Sequence, residues 1–270
     1  MEHPELIPSL TSGSVVQGGA KYQDWRLEIP AGPAGRYRLA QVDDYHHSRR
    51  KDFPWRLPLS LGLRARVSQA EIPGTWGFGL WNDPFSLAVL GGQGARRLPS
   101  LPQCAWFFYA GRPNWLSLRE DRPGDGLLAA TFGTLETSEG SPRIGNRIGR
   151  LGDRAALLAA LPLLALLPAG GSWLRQVILR TVQQDAARLP IDPTIWHSYR
   201  VDLRAEAVTF AVDEECMLET TVAPGGPLGC VVWIDNQYLA FPPRGGIRYG
   251  MLASTAPAWL EVEGLEIQAG

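Results

Sequence analysis

Lysine is almost missing from this 270-residue chain, which has only Lys21 and Lys51 and carries nearly all its positive charge on arginine. The basic residues are scattered rather than gathered into a stripe, and the net charge is −1 with a pI near 6.4. That pattern gives no electrostatic footprint for a phosphate backbone and excludes nucleic acid as an expected partner. Cysteine is just as scarce. Cys104, Cys216 and Cys230 form an odd set without metal-ligand spacing, so a disulfide framework is not expected and the three read as buried free thiols. No apolar run is long enough to span a bilayer, since the longest is interrupted by Pro162 and Pro168. The opening MEHPELIPSLTSGSVV has neither the basic nor the apolar region of a secretory signal, and a cytoplasmic location is expected. GxSxG, HExxH, P-loop and dinucleotide fingerprints are all lacking, so the reaction classes they serve have no support and no cofactor is expected.

What is present is punctuation. The 22 prolines and 30 glycines are spread along the whole length between short apolar or alternating runs, as in many strands joined by turns. Expected strands are 24–30, 36–43, 59–68, 75–81, 86–91, 105–110 and 114–120 in the first half. The second half adds 196–203, 207–215, 228–236 and 258–268. In AVTFAVDEE, Val208, Phe210 and Val212 alternate with Thr209, Ala211 and Asp213, the mark of a strand with one buried face.

One segment breaks the pattern. In residues 153–189 alanine and leucine replace β-branched residues, and a helical insert is expected. Asp153 and Ser172 suit N-caps, while Trp173, Val177, Ile178 and Val182 fall on one helical stripe, away from Arg175, Gln176, Gln183 and Gln184. The insert reads either as packed on the sandwich or as a flap that touches lipid or a partner.

Three separated stretches resemble one family. GTWGFGLW (74–81) is similar to the tryptophan strand of family 16 glycoside hydrolases, members of the concanavalin A-like lectin/glucanase superfamily. IWHSYRVDLRAEAVTFAVDEE (195–215) resembles that family's hairpin, with a histidine and tyrosine opening one strand and a VD closing the next. AWLEVEGLEI (258–267) looks like its closing strand, which returns beside the N-terminal one. The resemblance implies an all-β fold: a concanavalin A-like jelly-roll sandwich of two antiparallel sheets with the helical insert at about 153–189, in a single domain spanning 1–270. It also implies an extended ligand cleft on the concave sheet.

The chain departs from the family where chemistry would sit. Family enzymes carry E-x-D-x-x-E or E-x-D-x-E on the strand after the tryptophan strand, because a retaining glycosidase needs two carboxyls about 5 Å apart on one face. The corresponding stretch here, QCAWFFYAG (103–111), holds no carboxylate. Displaced acids remain as weak catalytic candidates: Asp83, Glu120, Asp121 and Glu136. A phenolic nucleophile at Tyr109 is a further alternative. Asp213 reads as a turn-capping aspartate and His197 as a packing and hydrogen-bonding residue. DDYHH (43–47) offers Asp44 and His46 on one face and Asp43, Tyr45 and His47 on the other, but reads as a surface polar cluster rather than a metal site.

The aromatic residues point to binding. Trp76, Phe78 and Leu80 share the parity of a core face, while Gly77, Gly79 and Trp81 share a bare face on which a ligand or another backbone could approach. A sugar asks for a flat ring against its apolar face and an amide or carboxylate for its hydroxyls. Trp81, Asn82 and Asp83 supply that combination, and Trp106, Phe108, Asn114, Trp115, Trp233, Asp235, Asn236 and Tyr238 repeat it in part. The favoured expectation is therefore a non-hydrolytic protein that binds a saccharide or amphiphilic small molecule. Alternatives are a divergent hydrolase, transglycosidase or isomerase with displaced acids, and an apolar-ligand or membrane-edge protein using the leucine-rich insert.

Overall fold

The computed structural model describes residues 6–18, 24–84, 100–134, 181–240, 242 and 248–270. In chain order its strands are β1 (Ile7–Leu10), β2 (Val15–Gly18), β3 (Trp25–Ile29), β4 (Leu39–Asp43), β5 (Leu59–Val67), β6 (Thr75–Trp81), β7 (Cys104–Ala110) and β8 (Gly126–Thr134). They continue as β9 (Val182–Arg188), β10 (His197–Arg204), β11 (Ala207–Val212), β12 (Glu215–Thr220), β13 (Gly229–Asp235), β14 (Gln237–Ala240), β15 (Arg248–Met251) and β16 (Ala258–Ala269).

These strands form an all-β sandwich. One seven-stranded antiparallel sheet runs β1-β4-β13-β6-β7-β8-β9 and the other β12-β11-β10-β5-β16-β3-β2, with a β14-β15 ribbon beside them. The alternation read from the sequence sets the core. Val208, Phe210 and Val212 of β11 are buried, as are Trp76, Phe78 and Leu80 of β6, and both sets belong to the cluster between the sheets. Strand β16 pairs with β3, as the closing-strand resemblance implies. The β11–β12 hairpin turns through Asp213 and Glu214 at φ +49° and +70°, the left-handed pair that matches the twist of a two-residue hairpin.

Several expectations are corrected. The helical insert at 153–189 is not seen: residues 153–180 lie outside the described residues, and Val182–Arg188, its expected end, is strand β9. Val182, Gln184 and Ala186 face one way there because seven residues of backbone complete the sheet against β8. Sheet pairing overrides the helical stripe that included Val182. Residues 114–120 are not a strand but a loop crossing the sheet, with an isolated bridge between Trp115 and Ala240. The loop is tied down by Gln184, whose Oε1 accepts from Leu118 N at 2.7 Å. Cys216 is exposed on the edge strand β12, whereas Cys104 and Cys230 are buried. The expected strand at 86–91 lies outside the described residues. No helix among them is long and apolar enough to cross a membrane.

Candidate functional site

The two outer faces of the sandwich differ in chemistry. On the β5-β16-β3 face, Arg26 stacks over Trp259 at 4.5 Å and Arg66 over Trp196 at 4.8 Å, with Glu261 paired to both arginines at 2.6 and 2.7 Å. That face is solvated and internally paired. The outer face of the other sheet instead carries a second apolar cluster, made of Leu39 (β4), Val231 and Trp233 (β13), Cys104 and Phe108 (β7), Leu128 and Phe132 (β8) and their neighbours. The cluster is largely buried, with Leu116 and Leu118 of the 114–120 loop packed into it, while Trp81 and Trp106 are only partly buried.

The centre of this face is paved with rings. Trp81 and Trp233 are parallel, with centroids 6.3 Å apart and 6° between planes, and Trp106 lies 5.8 Å from Trp81 and 5.6 Å from Trp233. Phe108 stacks on Trp106 at 5.4 Å and on Trp233 at 5.8 Å. The glycines of β6 explain the arrangement. A β-carbon on Gly77 would lie 2.7 Å from the Trp233 indole, and one on Gly79 would lie 2.6 Å from Cα and Cβ of Trp106. The bare face is therefore filled by the protein itself, Gly77 by the Trp233 indole and Gly79 by the close approach of Trp106.

Those rings floor a cavity of about 120 Å³, also lined by Tyr37, Thr75, Asp83, Asn114, Asp235 and Gln237. Its polar wall is a connected network. Trp233 Nε1 donates to Thr75 Oγ1 at 3.0 Å, and Thr75 Oγ1 donates to Asp235 Oδ1 at 2.7 Å. Asp235 also accepts from Tyr37 OH at 3.3 Å and Gln237 N at 3.2 Å. Burial nevertheless pushes the Asp235 carboxyl up to about 7, because desolvation of the charged form outweighs these donors. The same burial, together with Asp235, raises the Tyr37 phenol well above its ordinary value. Trp81 Nε1 donates to Tyr45 OH at 2.6 Å, fixing the other end of the floor, and the buried Nε1 of Trp106 has no hydrogen-bond partner among the described residues.

Of the residues expected to bind, the structure brings Trp81, Asp83, Trp106, Phe108, Asn114, Trp233 and Asp235 together around this cavity. Four others do not line it. Asn82 clamps a loop, donating to Leu101 O at 2.9 Å and accepting from Gln103 N at 3.1 Å. Asn236 is fully buried and bonded to Arg38 N, Arg36 O and Leu252 O. Trp115 packs over Gly124, and Tyr238 covers Gly250 in the β14–β15 ribbon. Asn114, although at the cavity, spends its amide on Gly74 O, Gly111 O and Leu239 N.

Among the catalytic candidates, Asp83 lines the cavity, while Glu120 and Asp121 are exposed in the 114–122 loop and Glu136 lies outside the described residues. Arg119 draws the Asp121 carboxyl down to about 2. Tyr109 points into the inter-sheet core, stacked on Trp76 at 5.8 Å, and is no cleft nucleophile. The cleft-facing positions of β7 are Cys104, Trp106, Phe108 and Ala110. Tyr37, Thr75 and Gln237 were not singled out from the sequence; the parity of Thr75 with Trp81 on β6 was the available signal.

The DDYHH cluster is not a surface patch. Asp43 and Tyr45 are buried, and Asp44 accepts from Trp55 Nε1 at 2.6 Å and Cys230 N at 2.9 Å. Burial lifts the Asp44 carboxyl to about 7. Ser9 Oγ lies 3.0 Å and Asp43 Oδ2 3.6 Å from the same His46 nitrogen, Nδ1. A nucleophile relay needs hydroxyl and carboxylate on opposite ring nitrogens, so this grouping is structural. No group of three or more metal-type side chains is assembled among the described residues. His197 and Asp213 hold their hairpin, with Nδ1 2.6 Å from Asp213 Oδ2 and Ser198 N donating to Asp213 Oδ1 at 2.8 Å.

No protein-family model matches the chain, and no curated protein sequence matches it. Solved structures with a similar course of chain include the β-glucanase of Bacillus licheniformis, at 8% identity, TM-score 0.48, covering 100% of this chain and 95% of that one. A Zobellia galactanivorans protein in complex with laminaritriose and laminaritetraose matches at 10% identity and TM-score 0.45, covering 90% and 77%. The pseudo β-1,3-glucanase of Mycobacterium tuberculosis matches at 11% identity and TM-score 0.42, covering 89% and 75%. At these identities and scores no residue role passes from those proteins to this chain.

Proposed function

We propose that the protein is a non-hydrolytic binding protein that holds one saccharide ring, or a small molecule with a similar flat apolar face, on the aromatic floor of this cavity. The observation that carries the reading is the floor itself: Trp81, Trp106, Phe108 and Trp233 contiguous on an outer sheet face, with Asp83, Asp235 and Gln237 at its wall. Aromatic rings offer dispersion and CH contact to the apolar face of a pyranose, and the carboxyl and amide groups of the wall offer partners to its hydroxyls. At about 120 Å³ the cavity is well below the ~300–1,000 Å³ typical of drug-sized ligands, which favours one ring over an oligosaccharide. The β7 positions facing the cleft carry no acid, which supports binding without hydrolysis.

A glycan array of mono- and oligosaccharides, followed by tryptophan-fluorescence titration of the hits, tests the reading. Binding of a monosaccharide that weakens at least tenfold in Trp81→Ala is the expected result. Hits whose affinity is unchanged in that variant would place recognition elsewhere.

A second, enzymatic reading is favoured by one observation: two carboxyls, Asp83 and Asp235, line the same cavity, and one is pushed toward neutrality at pH 7. Turnover of a bound glycoside, lost in both Asp83→Asn and Asp235→Asn, would select it.

A further inference from the structure

The β14–β15 ribbon forms one edge of the cavity. Gln237 and Leu239 of β14 line it, and β15 sets Met251 opposite Gln237 and Tyr249 opposite Leu239. Directly opposed residues of an antiparallel pair stand on the same side, so the cavity-lining side of the ribbon also presents Met251 and Tyr249. The backbone shows how close the second pair is. Leu239 N donates to Asn114 Oδ1 at 2.9 Å and Trp115 N donates to Leu239 O at 3.1 Å, so both polar groups of Leu239 turn away from β15. Leu239 and Tyr249 are therefore a non-hydrogen-bonded pair, the kind whose side chains lie closest, with Cα atoms about 4.5 Å apart. Tyr238, of the opposite parity, covers Gly250 on the other side of the ribbon.

Tyr249 is also set apart by its exposure. Among the described residues the exposed large apolar side chains are Leu10, Val15, Ile195 and Tyr249; the first three do not line the cavity, and Tyr249 is the aromatic one, 54% exposed. A ring left in water adds little to folding, but beside a cavity floored by rings it continues the same surface. We infer that Tyr249 is a second stacking platform and that the ligand is a disaccharide, one ring enclosed on the floor of Trp81, Trp106 and Trp233 and the next lying outside it on the face of Tyr249. This rests on reading the cavity as a saccharide-binding site. The enclosed volume of about 120 Å³ suits one ring, so a second lies beyond Leu239. One strand spacing farther out, about 4.8 Å, is where β15 places Tyr249. Tyrosine suits such a rim, offering a flat apolar face to a sugar ring and a hydroxyl that both donates and accepts.

The test reads a ratio of affinities, which general damage to the fold does not set. Calorimetry on the full chain compares methyl β-glucoside with cellobiose, laminaribiose and maltose in the parent, Tyr249→Ala and Tyr249→Phe. At least one disaccharide is expected to bind about tenfold tighter than the methyl glucoside, with that ratio near one in Tyr249→Ala and kept in Tyr249→Phe. Disaccharides that bind no tighter than the methyl glucoside overturn the second platform. An advantage that survives Tyr249→Ala, or is lost as fully in Tyr249→Phe, overturns stacking on this ring. If the methyl glucoside still weakens in Trp81→Ala, the cavity reading stands without the platform. Failure of all four probes at millimolar concentration also overturns the assignment, and together with an empty glycan array it overturns both.

Discussion

The indole of Trp233 covers Gly77 so closely that a β-carbon on that glycine would lie 2.7 Å from the ring. The same β-carbon would lie 2.6 Å from the Phe107 carbonyl oxygen on the neighbouring strand, which cannot move without breaking the β6–β7 pairing. Gly77→Ala should therefore destabilise the protein by about 1–3 kcal/mol, the usual cost of overpacking, and shift the tryptophan emission as Trp233 is displaced. Urea denaturation with fluorescence detection measures both, and a variant with unchanged midpoint and spectrum would contradict the close contact.

Thr75 is the joint between floor and wall, accepting from Trp233 Nε1 and donating to Asp235. Thr75→Val keeps the shape but leaves a buried N–H and a buried carboxyl each short of a partner. A loss of about 1–3 kcal/mol follows, while Thr75→Ser, which keeps the hydroxyl, should lose much less. Equal losses in the two variants would remove the hydrogen-bond account.

The raised carboxyls make stability depend on pH. Asp44 and Asp235 bind their protons more tightly folded than unfolded, with folded values of about 7 against an unfolded value near 3.8. Their contribution is thus full at low pH and declines as pH rises between those limits. Asp121, Asp192, Asp202, Asp213 and Glu261 are lowered, so what they add is present above the unfolded carboxylate range and lost only in acid below it. Between pH 5 and 8 the urea midpoint should fall as pH rises. Asp235→Asn, which still accepts from Thr75 and Gln237, should flatten that slope without removing the part owed to Asp44. A slope identical to the parent would show that Asp235 does not titrate in this window.

The β11–β12 turn gives a local test. Asp213 sits at φ +49° and its carboxyl accepts from Ser198 N while contacting His197, which holds it below the usual carboxylate range. Asp213→Ala loses both partners and places a β-carbon in the left-handed region without compensation, at a cost of about 1–2 kcal/mol. Asp213→Asn should be close to neutral, because asparagine tolerates that conformation and keeps an acceptor. Thermal denaturation of the pair decides it; equal destabilisation would point to the charge rather than the turn.

Thiol labelling should be sharply unequal. Cys216 is exposed, whereas burial raises the thiols of Cys104 and Cys230 well above their ordinary value. Folded protein should titrate one thiol with an aromatic disulfide reagent, and denatured protein three. Rapid labelling of more than one in the folded state would show that the cleft or the core opens.

Most of the sandwich could be read from the chain because the information is local. Alternation at period two places Val208, Phe210 and Val212 on one face whatever they pack against, and TWGFGLW begins and ends where β6 does. Asp213 was legible as a turn-capping aspartate, although the strand expected at 207–215 stops at Val212, where the turn through Asp213 and Glu214 begins. Strands without such alternation were missed: β8, GLLAATFGT, is buried on both faces, and β9, VQQDAAR, carries helix-favouring residues that only pairing with β8 makes extended. The site divides in the same way. Aromatic and acidic residues at the ends of β6 and β13 were visible as candidates, but polar character alone cannot say which side chains face a ligand. Asn82 and Asn236 have the same chemistry as Gln237, yet backbone groups far away in sequence consume their amides. Above all, the sequence determines that β6 presents glycines on one face, while the fold decides what fills them. Strand pairing sets Trp233 opposite Gly77 and Trp106 opposite Gly79, so the space over Gly77 is taken by the Trp233 indole, the backbone and Cβ of Trp106 close in on Gly79, and a bare strip becomes part of an aromatic floor.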